Sequence, residues 1–259
     1  MKVVILAGGM GTRISEESHL KPKPMIEIGG KPIIWHIMKI YESHGFNDFV
    51  ICCGYKGNII KEYFINYFLY NSDITVEVGN NKIDVHYSNA ESFKVTLVDT
   101  GLETNTAGRI KRIEKYVKGE TFMLTYGDGV TNANITDLLE FHKKAGKLVT
   151  LTSIQLPGRF GNIQTTNEGI VEKFQEKPEG DGVWINGGFF VMEPGVFDYL
   201  KGDMDTIQWE TDPLVKIAND KKLASYRHTG FWKCMDALRD KVELEHLWET
   251  NQAAWKVWK

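Results

Sequence analysis

Residues Lys2 to Ala7 form a short, continuously apolar, β-branched run that passes without a break into Gly8-Gly9-Met10-Gly11-Thr12-Arg13. A run of that kind reads as a strand buried on both faces of a parallel sheet, and a parallel sheet obliges the chain to return through long, usually helical, crossovers. The glycines let backbone N–H groups approach an anion with no Cβ in the way, and Arg13 adds a guanidinium that can clamp phosphate oxygens in pairs. The segment Leu6, Ala7, Gly8, Gly9, Met10, Gly11, Thr12, Arg13 is therefore read as a phosphate-binding turn. An ordinary tight β-to-α connection would explain the glycines, though not Thr12-Arg13. No Gly-Lys-Ser/Thr ends the segment as in a P-loop, and Ile14 stands where a dinucleotide fingerprint needs its third glycine.

The periodicity downstream agrees with a layered α/β chain. Residues 32–44 read as a helix with Pro32 in its first turn and Gly45 ending it, and 48–53 as the next strand. Ile59, Ile60, Tyr63, Phe64, Tyr67 and Phe68 recur with helical spacing. Residues 74–87 alternate like antiparallel strands around Gly79-Asn80-Asn81, an inserted hairpin. A strand at 95–98, a helix carrying Ile110, Ile113 and Val117, a strand at 121–125 and a helix from Asn134 to Gly146 follow. Beyond 147 the strands crowd together at 149–154, 169–175 and 188–192, which implies a mixed second half. No linker, repeat or low-complexity tract divides the chain, so one continuous domain is expected over 1–259. Its N-terminal half would bind a nucleotide and its C-terminal half a second substrate.

Lys and Arg number 31 against 34 Asp and Glu, a net charge of −3. That leaves no overall positive field for nucleic acid. The apolar runs at 3–7 and 49–53 fall far short of the roughly 20 residues that cross a bilayer. The start of the chain also lacks the long apolar stretch of a secretory signal, so cytoplasm is the expected location. Cys52, Cys53 and Cys234 have neither zinc nor redox spacing and read as reduced packing residues. The seven histidines are scattered, and His142 reads as packed on a helix face.

Four further places carry charge that chemistry could use. In Lys21-Pro22-Lys23-Pro24-Met25 the prolines are expected to hold an extended backbone and aim Lys23, although a lysine between prolines is ordinarily a solvated surface group. Asp128 lies between glycines just past a strand, on the rim where open α/β sheets bind ligands; taken locally it is a turn aspartate. Glu176 and Lys177, stopped by Pro178, could address sugar hydroxyls and a phosphate, or form an exposed ion pair. Asp236 precedes a helical pattern with Leu238, Val242 and Leu247 as its buried stripe, and the local reading is a helix N-cap.

Together, Leu6 to Arg13 and Lys21-Pro22-Lys23-Pro24-Met25-Ile26-Glu27-Ile28-Gly29-Gly30-Lys31-Pro32-Ile33 resemble the signature of the sugar-1-phosphate nucleotidyltransferases. Ser15-Glu16-Glu17, Trp35-His36-Ile37-Met38-Lys39, Cys52-Cys53-Gly54-Tyr55-Lys56-Gly57 and Phe231-Trp232 with Met235-Asp236 are similar to the cytidylyl branch of that family. The resemblance implies an α/β fold with a Rossmann-like mixed, mostly parallel sheet flanked by helices, the nucleotide-diphospho-sugar transferase fold. It implies CTP and α-D-glucose 1-phosphate as substrates, CDP-glucose and pyrophosphate as products, Mg²⁺ as cofactor, and a homo-oligomer, with segment 74–92 a candidate contact or, equally compatible, a solvent-exposed arm. On the matching positions, the first turn and Lys23 meet the nucleotide phosphates, with Arg13 and Lys23 catalytic. Thr104, Arg109 and Gly127 surround base and ribose, and Asp128 and Asp236 hold the metal. Gly161, Glu176, Lys177 and Asn186 grip the sugar phosphate. A uridylyl- or thymidylyltransferase would share the phosphate machinery and differ in how the 104–109 loop reads the base. A non-catalytic regulatory relative would have lost the arginine, the lysine or the aspartates, and all are present.

Overall fold

Lys2–Ala7 is an interior strand, β1, of a seven-stranded sheet in the computed structural model, which describes residues 1–117, 119–156, 162–175 and 183–258. The sheet is completed by β2 (Asp48–Cys53), β3 (Lys94–Asp99), β4 (Phe122–Tyr126), β5 (Val149–Ile154), β6 (Ile185–Met192) and β7 (Leu223–Arg227). Their spatial order is β7-β5-β6-β4-β1-β2-β3. β1 pairs in parallel with β2 and β4, β2 with β3, and β5 with β7. β6 is reversed and wedged between β4 and β5. The sheet is thus mixed and mostly parallel, as expected, and the reversal brings the start of β6 to the carboxyl rim of β4.

Alternation along β1 distributes its side chains to two cores. Val3, Ile5 and Ala7 join Phe49, Ile51 and Met123 on one face; Val4 and Leu6 join Val50, Cys52 and Leu124 on the other. The first face is covered by α1 (Ile33–Glu42), α2 (Gly57–Tyr70), α4 (Ile135–Ala145) and α6 (Leu238–Glu249), the second by α3 (Thr106–Arg112) and α5 (Pro213–Asn219). Asn134 caps α4 by accepting from Thr136 N and Asp137 N, and Gly146 closes it at φ 57. The expected hairpin is formed by Ser72–Glu77 and Lys82–Ser88. The helix expected through Ile110 and Val117 ends instead at Arg112, and a separate turn, Glu114–Val117, follows. No helix among the described residues is long and apolar enough to cross a membrane.

The chain after β7 returns to brace the segment that follows Lys23. His36 is fully buried among Trp35, Trp248, Trp255 and Trp258. Trp255 Nε1 donates to His36 Nδ1 at 3.3 Å, so Nε2 carries the proton and donates to Ile28 O at 2.8 Å. Burial pushes the His36 imidazole down to about 4. Glu245 accepts from Gly29 N at 3.0 Å, and Gly29, at φ 58, lies so close to Trp248 that a Cβ would sit 2.0 Å from its Nε1. In α6 Leu244 is buried and Leu247 packs on the core as expected, while Leu238 and Val242 are exposed, so the stripe expected from the sequence is displaced in part.

Candidate active site

The glycine turn leaves β1 at the carboxyl rim and borders a cavity of about 500 Å³. Leu6, Ala7, Gly8, Gly9, Gly11, Thr12 and Arg13 line it, and Met10 turns away and stands exposed. Arg109, from α3, sets the shape of this wall. It is buried, and its Nη1 donates to Thr100 Oγ1 (2.7 Å), Gly101 O (2.8 Å) and Cys53 O (3.3 Å), while Nη2 donates to Gly8 O (3.0 Å) and Leu102 O (3.3 Å). One guanidinium therefore ties the glycine turn to the ends of β2 and β3. Gly8 must be glycine for this approach, because a Cβ there would lie 2.2 Å from Arg109 Nη1. Thr104, held by Arg112 Nη1 at 2.8 Å, and Gly127, whose N–H donates to Leu6 O at 3.0 Å, complete this side of the cavity.

Lys23 is buried rather than solvated. Pro22 is extended as expected, but Lys23–Met25 then forms a single 3₁₀ turn, closed by Met25 N to Pro22 O (2.8 Å) and Ile26 N to Lys23 O (3.1 Å). A proline at the second position of such a turn has no N–H to waste, so Pro24 fits it. The turn sends Lys23 Nζ between two carboxylates, 2.5 Å from Asp128 Oδ2 and 2.6 Å from Asp236 Oδ1. Arg13 Nη1 reaches Asp236 Oδ2 at 2.8 Å. Burial opposes the Lys23 charge, but Asp128 and Asp236 outweigh it and push the ammonium above its ordinary value. Burial likewise pushes the Asp236 carboxyl up, and Lys23, Cys234 and Arg13 more than offset it, leaving it below the usual carboxylate range. Asp236 is not the helix cap: Ala237 holds that position, and Asp240 accepts from both Asp236 N and Ala237 N.

Two carboxylates from separate loops thus converge on one cation, and no cluster of three metal-ligating side chains exists among the described residues. That donor set fits a hard divalent ion that keeps water and takes its remaining oxygens from phosphate.

Asn186 lines the opposite wall with Gly187 and Gly188. Gly161, Glu176 and Lys177 lie outside the described residues. Tyr126, Thr106, Trp232 and Cys234 also line the cavity and were not singled out as site residues from sequence. Tyr126 and Cys234 stand next to motif residues, so proximity to Asp128 and Asp236 was the available signal. Thr106 falls inside the 104–109 loop expected near the base, and its exact place follows from where α3 begins.

A family model described as nucleotidyl transferase matches residues 2–254. Glucose-1-phosphate cytidylyltransferase of Salmonella typhimurium is 56% identical over 259 residues, all of both chains. Probable glucose-1-phosphate cytidylyltransferase of Bacillus subtilis is 45% identical over 258 residues, again all of both. The solved structure of a UDP-glucose pyrophosphorylase complexed with UDP-glucose superposes with a TM-score of 0.69 at 18% identity, covering 96% of this chain and 98% of that one, which shows a shared fold. With its model matched almost end to end and two full-length relatives this similar, the chain belongs to the nucleotidyl transferase family.

Proposed function

We propose that this chain transfers the cytidylyl group of CTP to α-D-glucose 1-phosphate, giving CDP-glucose and pyrophosphate. The observation that carries the reaction class is the convergence of a glycine turn, Arg13, Lys23, Asp128 and Asp236 on one cavity at the sheet's carboxyl rim. The choice of nucleotide and sugar is supported by the 56% full-length identity to an enzyme named for that pair.

Glucose 1-phosphate carries an ionised phosphate oxygen near neutral pH, since a monoester's second pKa is about 6, so no side chain need act as base. That oxygen bonds to the α-phosphorus of CTP as the bond to the β-phosphate oxygen breaks, and pyrophosphate leaves with the electron pair. The chain's work is placement and charge cancellation. The turn from Gly8 to Arg13 offers N–H donors and a guanidinium to the triphosphate, and Lys23 adds a point charge. Thr104, Arg109 and Gly127 form the wall assigned to base and ribose. Asn186, with Gly161, Glu176 and Lys177, is assigned to the sugar phosphate. Asp128 and Asp236 would hold a magnesium ion, which supplies positive charge to the triphosphate when bound.

We read the span 1–259 as one catalytic unit working in the cytoplasm. The working form is a homo-oligomer, a reading supported by Ile74, Val76, Ile83 and Val85 standing exposed on the hairpin; a monomeric mass by light scattering would refute it. The reaction is tested by pyrophosphate release from glucose 1-phosphate with CTP, UTP, dTTP, ATP and GTP in turn, with Mg²⁺ or EDTA. CTP is expected to give the highest kcat/KM, with activity lost in EDTA. An equal or higher value with UTP overturns the cytidylyl assignment.

A further inference from the structure

The reversed strand β6 begins with an irregularity. Its register against β5 shifts between Leu151 and Ser153, and Gly188 adopts φ 79, with a Cβ there falling 2.4 Å from Tyr126 Cδ2. Such bulges beside sites commonly re-aim a side chain. Here Asn186 is placed on the cavity wall with the Tyr126 ring packed against the backbone that follows it.

The hydrogen bonds around Asn186 have a fixed direction. Gly188 N donates to Asn186 Oδ1 at 2.9 Å, which uses the carbonyl oxygen and leaves Nδ2 to face the Tyr126 hydroxyl at 3.4 Å. A phenol has one hydrogen, and Tyr126 gives it to Glu210 Oε1, so towards Asn186 it can only accept. Glu210 Oε2 accepts from Thr106 Oγ1 at 3.2 Å, and that hydroxyl accepts from Trp209 N at 2.7 Å.

We infer that Tyr126 and Glu210 are positioning residues for the sugar phosphate: the chain from Asn186 through the Tyr126 hydroxyl to Glu210 fixes the Asn186 amide so that its second Nδ2 hydrogen serves a ligand anion in the cavity. The inference rests on the proposed reading of this cavity as the place where glucose 1-phosphate reacts. Without the hydroxyl, the amide loses the partner that distinguishes its nitrogen end from its oxygen end on that side. Anchored then by Gly188 N alone, the amide can tilt its Nδ2 end away from a phosphate.

Steady-state kinetics on wild type, Tyr126→Phe, Glu210→Leu and Glu210→Gln test this, with each substrate varied at saturation of the other. Tyr126→Phe and Glu210→Leu are expected to raise KM for glucose 1-phosphate about 3- to 10-fold, the worth of one hydrogen bond, and to leave KM for CTP within about twofold. Glu210→Gln keeps an acceptor oxygen for Tyr126 and is expected to restore the wild-type value. An unchanged KM for glucose 1-phosphate in Tyr126→Phe overturns the inference. So does a parallel rise in both KM values, which would mark a purely structural role. A wild-type protein that releases no pyrophosphate from CTP and glucose 1-phosphate overturns the underlying reading first, and the inference falls with it. That outcome is visible before any variant is made.

Discussion

Replacing Lys23 with Met removes the ammonium that bridges Asp128 and Asp236 while keeping most of the side chain's length. Both carboxylates lie within hydrogen-bond reach of one nitrogen, so without it they face each other across roughly 5 Å. Two unit charges at that separation and an effective dielectric of about 20 repel by about 3 kcal/mol. Side-chain exposures of 25% for Asp128 and 32% for Asp236 admit water, so a net loss of about 2 kcal/mol is the better figure. For a chain of this size that corresponds to a fall of about 4 to 8 °C in Tm. The assay is thermal melting of the nucleotide-free protein against MgCl₂ or MnCl₂, with NaCl matched for ionic strength. Wild type is expected to be nearly indifferent to the divalent ion, because an ammonium already fills the gap. Lys23→Met is expected to start lower and recover most of the loss as the divalent ion rises. Equal melting of the two proteins, or equal responses to MgCl₂, would show that Lys23 does not stand between the carboxylates in solution.

Asp236→Asn and Asp236→Ala are expected to melt within about 0.5 kcal/mol of one another and to share a severe loss of kcat with a raised Mg²⁺ requirement; an active Asn variant beside an Ala variant weaker by the usual cap cost of about 1 kcal/mol would return Asp236 to a capping role. Gly8→Ala forces Arg109 from its acceptors and is expected to cost at least about 2 kcal/mol in denaturant unfolding, whereas Gly9→Ala, with nothing within 4 Å of its Cβ, is expected to be nearly neutral. His36 is held neutral in the fold down to about pH 4, while the unfolded imidazole takes a proton below 6.5. Stability is therefore full above about pH 6.5 and falls by about 3 kcal/mol as the pH drops to 4. His36→Gln is expected to flatten that part of the Tm profile between pH 7 and 4.5, and parallel profiles for the two proteins would refute the assignment.

The sequence exposed whatever is written locally. The glycine turn, the hairpin around Gly79-Asn80-Asn81 and the caps at Asn134 and Gly146 depend on neighbours within a few residues, and all stand where expected. The crowded strands beyond 147 imply a mixed second half, but not that β6 is the reversed one, because an apolar strand buried on both faces has the same pattern in either direction. Lys23 reads as a surface residue until its partners are known, and these lie 105 and 213 positions away. The displaced stripe of α6 has a similar cause: which helical face is buried was decided by tryptophans packing around His36, not by the helix's own periodicity.

The brace around Gly29 and His36 also constrains the order in which a newly made chain can mature. Contacts at separations of 216 and 219 residues hold the segment just beyond Lys23. On a ribosome that delivers residues in sequence, β1 and its glycine turn emerge early and wait for α6 before their surroundings close. In the interval His36 and Trp35 lack the cover of Trp248, Trp255 and Trp258, leaving an apolar surface that a chaperone or another nascent chain can reach. Competence to seat Lys23 between its two aspartates is likewise deferred, since Asp236 emerges with the brace itself. Products truncated before α6 would carry the glycine turn and its Arg109 clamp without the brace behind Lys23.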